Sequence, residues 1–412
     1  MTAPLVSIGL PVRNGANFLE AAVQSLRTQT MGDFELILSD NASEDATPEI
    51  CQRFSRQDTR VRYHRFERNV GAARNYNQVF ALARGRFFKW AAHDDLCLPG
   101  FLETCIEEFS RAPEAVLVYP RVELINDRGE VTGTDEPALI VADARPHVRL
   151  RNFFQKVRLA NPVFGLMRTD ALRQTRLIGS FVSSDLVLLA ELLLLGEFRE
   201  VPVVLFRRRL HEQRSLQANR TQRDLLAWFD PAQRGARLKL SVPTRLAWEY
   251  TRSVLRLPLP WSERIRCLAV TGRGQWWPLL RGHAEPPFAA GPRRVRKLRR
   301  RLRRLIPTGS RFILVDEDQL RGALGLPGAT PFTQRDGVYW GPPADDRAAV
   351  DELDRARRAG ATHIAFAWPA FWWLDYYAAF AQHLRTRHPC VWKDDHVKVY
   401  DLRTTTVQRA QG

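Results

Sequence analysis

The sequence predicts an α/β protein: a doubly wound, mostly parallel sheet, then a helical basic linker region, then a small C-terminal α/β domain. Three observations predict it. Short apolar runs alternate with amphipathic segments in βαβαβαβ order as far as Asp95. The fourth run, Phe87 to Ala92, ends in the adjacent carboxylates Asp94 and Asp95, and acids at the end of a parallel strand sit where open α/β sheets bind ligands. A second α/β pattern resumes between 310 and 402.

Val6 to Leu10 reads as the first strand, closed by Pro11, with a turn at Asn14-Gly15. Residues 17 to 28 set Phe18, Leu19, Ala22, Val23 and Leu26 on one helical face. Phe34 to Leu38 is the second strand, ending at Asp40, and Ser43 to Asp45 opens a helix carrying Ile50 and Phe54. Val61 to Phe66 is a strand, Asn69-Val70-Gly71 a loop and Ala72 to Ala83 a helix. Beyond the break at Pro99-Gly100, a strand is expected at 116 to 119. Val122 to Leu124 and Val131 suit a hairpin around Asp127-Arg128-Gly129. A helix over 147 to 159, a strand over Val163 to Met167, an apolar helix over Asp185 to Leu195 and a strand over Val203 to Arg207 follow. From 220 to 305 the strand signal disappears, and Pro, Trp and Arg scatter through a helical region. Phe312 to Val315, Ile364 to Ala367, Val391 and Val397 to Tyr400 then read as strands. Helices are expected over 371 to 385 and over Asp345 to Ala359, the latter capped by Asp345 or Asp346. The expected divisions are 1–220 (sheet domain), 221–308 (Arg-rich connection), 309–404 (small α/β domain) and 405–412 (tail).

Hydrophobic content of 45% and charged content of 26% are those of a soluble globular protein. No apolar run approaches the ~20 residues of a membrane span; Leu186 to Leu195 is short and contains Glu191. The N-terminus lacks a signal-peptide pattern, and five scattered cysteines without a CxxC pair point to a reducing cytoplasm. The net charge is +17, yet nine basic residues and no acid lie in 293–304, so one segment holds about half the excess.

Four motifs line up in order: Pro11-Val12-Arg13-Asn14; Asp40-Asn41-Ala42-Ser43-Glu44-Asp45; Asn69-Val70-Gly71-Ala72-Ala73-Arg74-Asn75; and His93-Asp94-Asp95 with Pro99 behind it. Over residues 5 to 215 the chain resembles the family 2 glycosyltransferases, which have the GT-A fold. The resemblance implies a nucleotide-sugar donor, with Pro11, Val12 and Arg13 beneath the nucleotide and Asp40 on its base. Asn69 and Gly71 then form the nucleotide-side loop, Arg74 reaches the diphosphate, and Asp94 meets the ribose or supports a metal. It also implies Mn²⁺ or Mg²⁺ on Asp95, in a position where His93 replaces the family's usual first Asp. His211, in Arg207-Arg208-Arg209-Leu210-His211 with Ser215 beyond, resembles the closing Arg-x-His element and is a second candidate ligand. Asp185, at the expected start of its helix, stands where the family places the base that deprotonates the acceptor; Glu191 is its rival. Asn161 to Gly165 is expected on the acceptor side. Each residue has a plainer reading: Asp40 in a turn, Asp45, Asp185 and the Asp94–Asp95 pair as helix caps, Arg74 solvated, His211 structural.

The implied function is inverting transfer of a sugar to a glycan or lipid-linked glycan, in bacterial envelope assembly. The absence of a QxxRW motif speaks against a processive synthase. Two rivals are a GT-A-like scaffold without activity and a basic nucleic-acid-binding protein; no nucleic-acid module accompanies the charge, so no nucleic acid is expected as partner. Residues 293–306 are expected to hold the enzyme on an anionic membrane, on the inner face of the cytoplasmic membrane, with Val295, Leu298 and Leu302 adding shallow insertion; a linker helix is the competing reading. The aromatic run 368–377 is expected to pack on the C-terminal sheet, with sugar binding as the alternative.

Overall fold

The computed structural model describes residues 3–135, 142–156, 160–209, 211, 222–233, 240–280, 292–316, 320–335, 338–339, 341–343, 345–371 and 373–403. Ser215 and the tail 405–412 lie outside them. The chain divides into two units, Met1–Ala284 and Glu285–Gly412, and the division falls inside the 221–308 stretch.

The N-terminal unit is built on one mixed sheet. Strands β1 (Val6–Val12), β2 (Phe34–Asp40), β3 (Val61–Arg65) and β4 (Phe87–Trp90) are parallel in the order 3-2-1-4. Helices α1 (Ala16–Arg27), α2 (Thr47–Gln57) and α3 (Ala72–Ala81) connect them. Strands β1, β2 and β4 are buried at every position, as the unbroken apolar runs require of strands covered on both faces. The short β5 (Leu96–Cys97) and α4 (Phe101–Arg111) follow the acidic pair. Next come β6 (Ala115–Ile125), its antiparallel partner β7 (Val131–Asp135) and α5 (Pro146–Lys156). Strand β8 (Leu166–Arg168) lies antiparallel between β4 and β6, which breaks the parallel run.

The expected strand from Val163 starts three residues late, because Asn161–Phe164 forms a 3-10 turn with Pro162 in its first turn. After α6 (Thr169–Arg173) and α7 (Ser184–Leu195), β9 (Glu197–Arg209) runs parallel to β6 and antiparallel to β5. It is far longer than the expected 203–207, starting directly after Gly196. Helices 222–229, 242–256 and 261–271 complete the unit, with a π-helical turn at 272–276 and a last turn at 277–280.

In the C-terminal unit five strands run in the order 329–331, 311–315, 361–367, 397–401, 390–393, the last two antiparallel. Alternation divides its side chains between two cores. Ile313, Val315, Ile364 and Phe366 meet Leu353, Trp373, Tyr377 and Phe380 on one face. Phe312, Leu314, Ala365 and Val399 meet helix 292–305 on the other. The aromatic run therefore packs as core: Trp373 and Tyr377 are buried, and the Tyr377 hydroxyl donates to Pro343 O at 2.6 Å. Asp345 is the helix cap, accepting from Ala348 N–H at 2.7 Å, while Asp346 accepts from Phe380 N–H.

One expectation needs correction here. Val295, Leu298, Leu302 and Ile306 are all buried in the second of these cores, so the apolar stripe of 292–305 packs on its own sheet. Shallow membrane insertion by those side chains is closed off. Arg294, Arg299 and Arg301 also turn inward, to Asp395 O, Ala323 O and Asp394 respectively. Arg296, Lys297, Arg300, Arg303 and Arg304 remain as the exposed row.

Candidate functional site

The strand ends of β1, β2 and β4 meet at one edge of the N-terminal sheet, and the loops there clasp one another. Arg13 donates to Asn41 O at 2.9 Å and Ala42 O at 2.8 Å, and pairs with Glu44. Asn14 N–H donates to Ser43 Oγ, and Glu44 N–H to Asn14 Oδ1. Asp45 accepts from Ala16 N–H at 3.1 Å and Thr47 N–H at 3.0 Å, so it serves the first turns of both α1 and α2. Much of the second motif is thus spent on holding the first.

Asp40 is buried at 0% exposure; Oδ1 accepts from Ser43 N–H at 2.8 Å and Oδ2 from the Tyr63 hydroxyl at 3.0 Å, with Arg65 Nε at 3.4 Å. Burial and the Asp40 charge together push the Tyr63 hydroxyl up. Pro11 and Val12 are buried beneath this clasp. Asn69 Oδ1 accepts from Asn41 Nδ2 at 2.8 Å and Gly71 N–H at 2.9 Å, which ties the third loop to the second. Gly71 has φ +86°, and a Cβ there would lie 2.3 Å from Phe229 O. Residues 229–231 therefore cover the loop assigned to the nucleotide, a closeness that nothing in the sequence signalled. Arg74 is exposed on α3.

At the end of β4 the acidic pair is anchored by the end of β9. Asp95 Oδ1 accepts from Arg209 N–H at 2.8 Å, and Arg209 Nε donates to Asp94 O at 2.9 Å. His211 Nε2 lies 2.8 Å from Asp94 Oδ2, with its ring edge-on to Phe18 at 4.8 Å. The His93 ring packs on Gly15, where an added Cβ would lie 2.5 Å from Cδ2.

Burial and the Asp94 charge push the Asp95 carboxyl up to about 7 against the pull of Arg209 N–H, Arg208 and Lys89. Burial works to raise Asp94 as well, but donation from His211 and the nearby imidazoles hold it below its ordinary value. Beneath the pair, the fully buried Lys89 ammonium donates to Phe164 O at 2.5 Å, which places the 161–165 turn against β4.

Asp185 sits at the start of α7, where Ser183 adopts φ +65° and Leu186 N–H donates to Asp185 Oδ1 at 2.9 Å. Burial raises its carboxyl, opposed by Leu186 N–H and the charge of Arg208. Arg208 thus acts on both Asp95 and Asp185. The Tyr76 hydroxyl, raised first by burial, also feels Asp94, Asp95 and Asp185. Tyr76 and Arg208, both coupled electrostatically to these carboxylates, were not singled out from the sequence. Arg208 lay inside a quoted motif; Tyr76 followed one.

Glu191 is not part of this cluster. It is fully buried, accepting from Arg176 N–H and Nε at 2.8 and 2.7 Å and from Ser253 Oγ at 2.9 Å, beside an Arg176–Glu249 pair. Glu191→Gln is therefore expected to cost about 3 kcal/mol of stability by leaving Arg176 undercompensated. The melting temperature should fall by about 10 °C, with nucleotide-sugar affinity unchanged. An unchanged melting temperature would refute this reading.

Among the described residues no three His, Cys, Asp or Glu side chains converge as a ready cation site, and no helix is long and apolar enough to cross a membrane.

Residues 7–176 match the family model described as Glycosyl transferase family 2. An uncharacterized glycosyltransferase of Rickettsia typhi is 33% identical over 127 residues, 31% of this chain and 39% of that protein. The putative glycosyltransferase EpsH of Bacillus subtilis is 28% identical over 159 residues, 38% of this chain and 45% of that protein. The chain thus spans less than half the length of either relative. Among solved structures, S. aureus TarS 1–349 in complex with UDP-GlcNAc aligns at 14% identity and a TM-score of 0.47, covering 66% of this chain and 72% of that one.

Proposed function

We propose, from the premise that the chain carries a glycosyl transferase family 2 domain, that it transfers one sugar from a nucleotide donor with inversion. The acceptor is a glycan or lipid-linked glycan, in envelope polysaccharide assembly. The observation that carries this reading is the acidic pair at the end of β4, held by the end of β9: Asp95 accepts from Arg209 N–H at 2.8 Å and His211 Nε2 lies 2.8 Å from Asp94 Oδ2.

Asp185 takes the acceptor proton: burial raises its carboxyl, which makes it a stronger base than an ordinary aspartate. Arg208 and Arg74 hold the diphosphate. Asp40, with Tyr63 and Arg65 over it, reads the base, and the Asn69–Gly71 loop closes the nucleotide side.

The donor set suits a divalent cation. Two hard carboxylates lie side by side, and burial together with the Asp94 charge raises Asp95, a cost that a cation would offset. Mg²⁺ and Mn²⁺ are commonly held by one or two carboxylates plus substrate phosphates, so no complete protein cage is needed. Asp95 and His211 would hold the ion, with Asp94, bound to His211 Nε2, supporting it or meeting the ribose. Bound there, it would neutralise charge on the departing nucleoside diphosphate.

A thermal-shift screen of nucleotide sugars with and without Mn²⁺ tests the reading, since a ligand of the native state raises its melting point. One sugar nucleotide should stabilise the protein, more so with metal, and its product should show inversion at the anomeric carbon. Absence of any shift across the screen, or retention in the product, would overturn it. The exposed cationic row of 296–304 offers a further electrostatic contact for an anionic membrane surface, and the working location is the cytoplasmic side of that membrane.

A further inference from the structure

We propose that the helices between Val242 and Leu280 form a face of the N-terminal unit that docks on an anionic lipid surface. Three adjoining elements build this face. Helix 242–256 packs on α7 through its buried side, including Leu246, Tyr250 and Val254, and leaves Trp248 and Leu255 exposed, two turns apart. Helix 261–271 buries Cys267 and leaves Trp261, 75% exposed, one turn from exposed Ile265. After the π-helical turn, Trp277 and Leu280 are exposed in their turn. The Trp276 indole N–H donates to Thr251 Oγ1 at 2.9 Å, which brings that turn alongside Trp248 and Leu255. Exposed apolar residues scattered singly need no explanation, but a run this dense marks an interaction surface.

Charge selects the partner. The acids of this stretch are Glu249 and Glu263. Both are withdrawn, Glu249 into a buried pairing with Arg176 and Arg245, Glu263 against His147 and Arg266. Arg252, Arg256, Arg266 and Arg273 are exposed between the apolar side chains. The face offers indoles, aliphatic chains and cations without an exposed carboxylate. That combination suits a headgroup layer, where indoles sit at the interface, aliphatic chains enter shallowly and arginines meet anionic lipid. A second copy of this chain would set these arginines against each other. A nucleic acid would have stacking partners for the indoles but none for Leu255, Ile265 and Leu280.

The same helix that turns Trp248 outward carries Tyr250 on its inner side, where its hydroxyl feels the charge of Asp185. That helix packs on α7, whose first turn holds Asp185, so a bilayer on its outer side lies about one helix diameter, roughly 10 Å, from the helix of the proposed base. The acceptor is then lipid-borne, a conclusion that rests on the transferase reading as the docking face itself does not.

The test is flotation of the full chain with phosphatidylcholine vesicles, with and without phosphatidylglycerol, at low and high salt. Nucleotide-sugar thermal shift serves as the control for fold and site. The wild type should float with the anionic vesicles only, and brominated lipid should quench its tryptophan fluorescence. The triple variant Trp248→Ser, Trp261→Ser, Ile265→Ser should lose about tenfold or more in vesicle affinity. The variant Arg252→Gln, Arg266→Gln, Arg273→Gln should lose the preference for anionic lipid, and both variants should keep the thermal shift. Wild-type protein that ignores anionic vesicles at low salt overturns the proposal. So does a wild-type dimer that the apolar variant splits without any vesicle binding, or RNA binding in place of vesicle binding. If the apolar variant does not fold, absence of quenching in the wild type overturns it instead. Vesicle binding without any nucleotide-sugar binding would keep the docking face and overturn the transferase reading.

Discussion

Asp185→Asn is expected to leave donor affinity near normal and to lower the transfer rate by about 10²-fold or more, the scale on which general bases contribute. The amide keeps the shape of the carboxylate and can still accept from Leu186 N–H, which holds the wild-type side chain at 2.9 Å. It cannot take a proton. Burial raises the wild-type carboxyl, so activity should climb with pH as Asp185 ionises, later than for an unperturbed aspartate. The variant should lose that rising limb. Glu191→Gln should keep it, because Glu191 is engaged by Arg176 and Ser253 and stands apart from the acidic cluster. A pH-rate profile of both variants at saturating donor decides the matter. A crippled Glu191→Gln beside an active Asp185→Asn would reverse the assignment.

Asp95→Asn should have two effects of opposite sense. Metal-dependent donor affinity should disappear, since a neutral amide is a poor ligand for a hard cation. Stability without metal should rise at alkaline pH. The folded-state value of about 7 lies above the unfolded one, so the folded protein binds this proton more tightly than the unfolded chain does. The stability linked to Asp95 is therefore complete below the unfolded value, near pH 4, and is lost as pH rises to about 7. Asn carries no such penalty. Above pH 7 the variant should gain up to about 4 kcal/mol over the metal-free wild type, or roughly 8–16 °C in melting temperature. Near pH 4 the two proteins should melt alike. Melting curves at both pH values, with and without Mn²⁺, are the measurement. Equal melting at pH 8 together with unchanged metal-dependent donor binding would remove Asp95 from the site.

These two carboxylates were legible from sequence because each closes or opens a regular element. An apolar run that stops at Asp94-Asp95, and a turn that hands over to the apolar helix at Asp185, are one-dimensional signals. The residues around them carry none. Tyr76 lies partway along α3, and its hydroxyl, raised first by burial, feels the charge of the three acids only in the folded chain. Arg208 sits in a run of arginines whose alternation along β9 assigns each to a different environment. Arg209 anchors Asp94 and Asp95, while Arg207 pairs with Glu123. The separate helices after 220 carry no clear sequence signal, because Pro and Gly interrupt their periodicity and exposed tryptophans mimic a core face.

The sequence by itself determined the α/β class, the four strands of the parallel half of the sheet and the positions of the strand-end acids, while the order 3-2-1-4 came from the structure. Hydrophobic periodicity and chain punctuation are local, and they survive without knowledge of neighbours. Only the tertiary structure decided what each polar side chain meets. It joined Arg13, Asp45 and Asn69 to the loop clasp, set His211 against Asp94 and withdrew Glu191 into an ion-pair network. It also turned the stripe of the basic helix onto its own sheet and, in the other unit, left Trp248, Trp261 and Trp277 exposed. Partners separated by a hundred residues are chosen by packing, because a buried polar group must be satisfied by whatever the fold brings within reach.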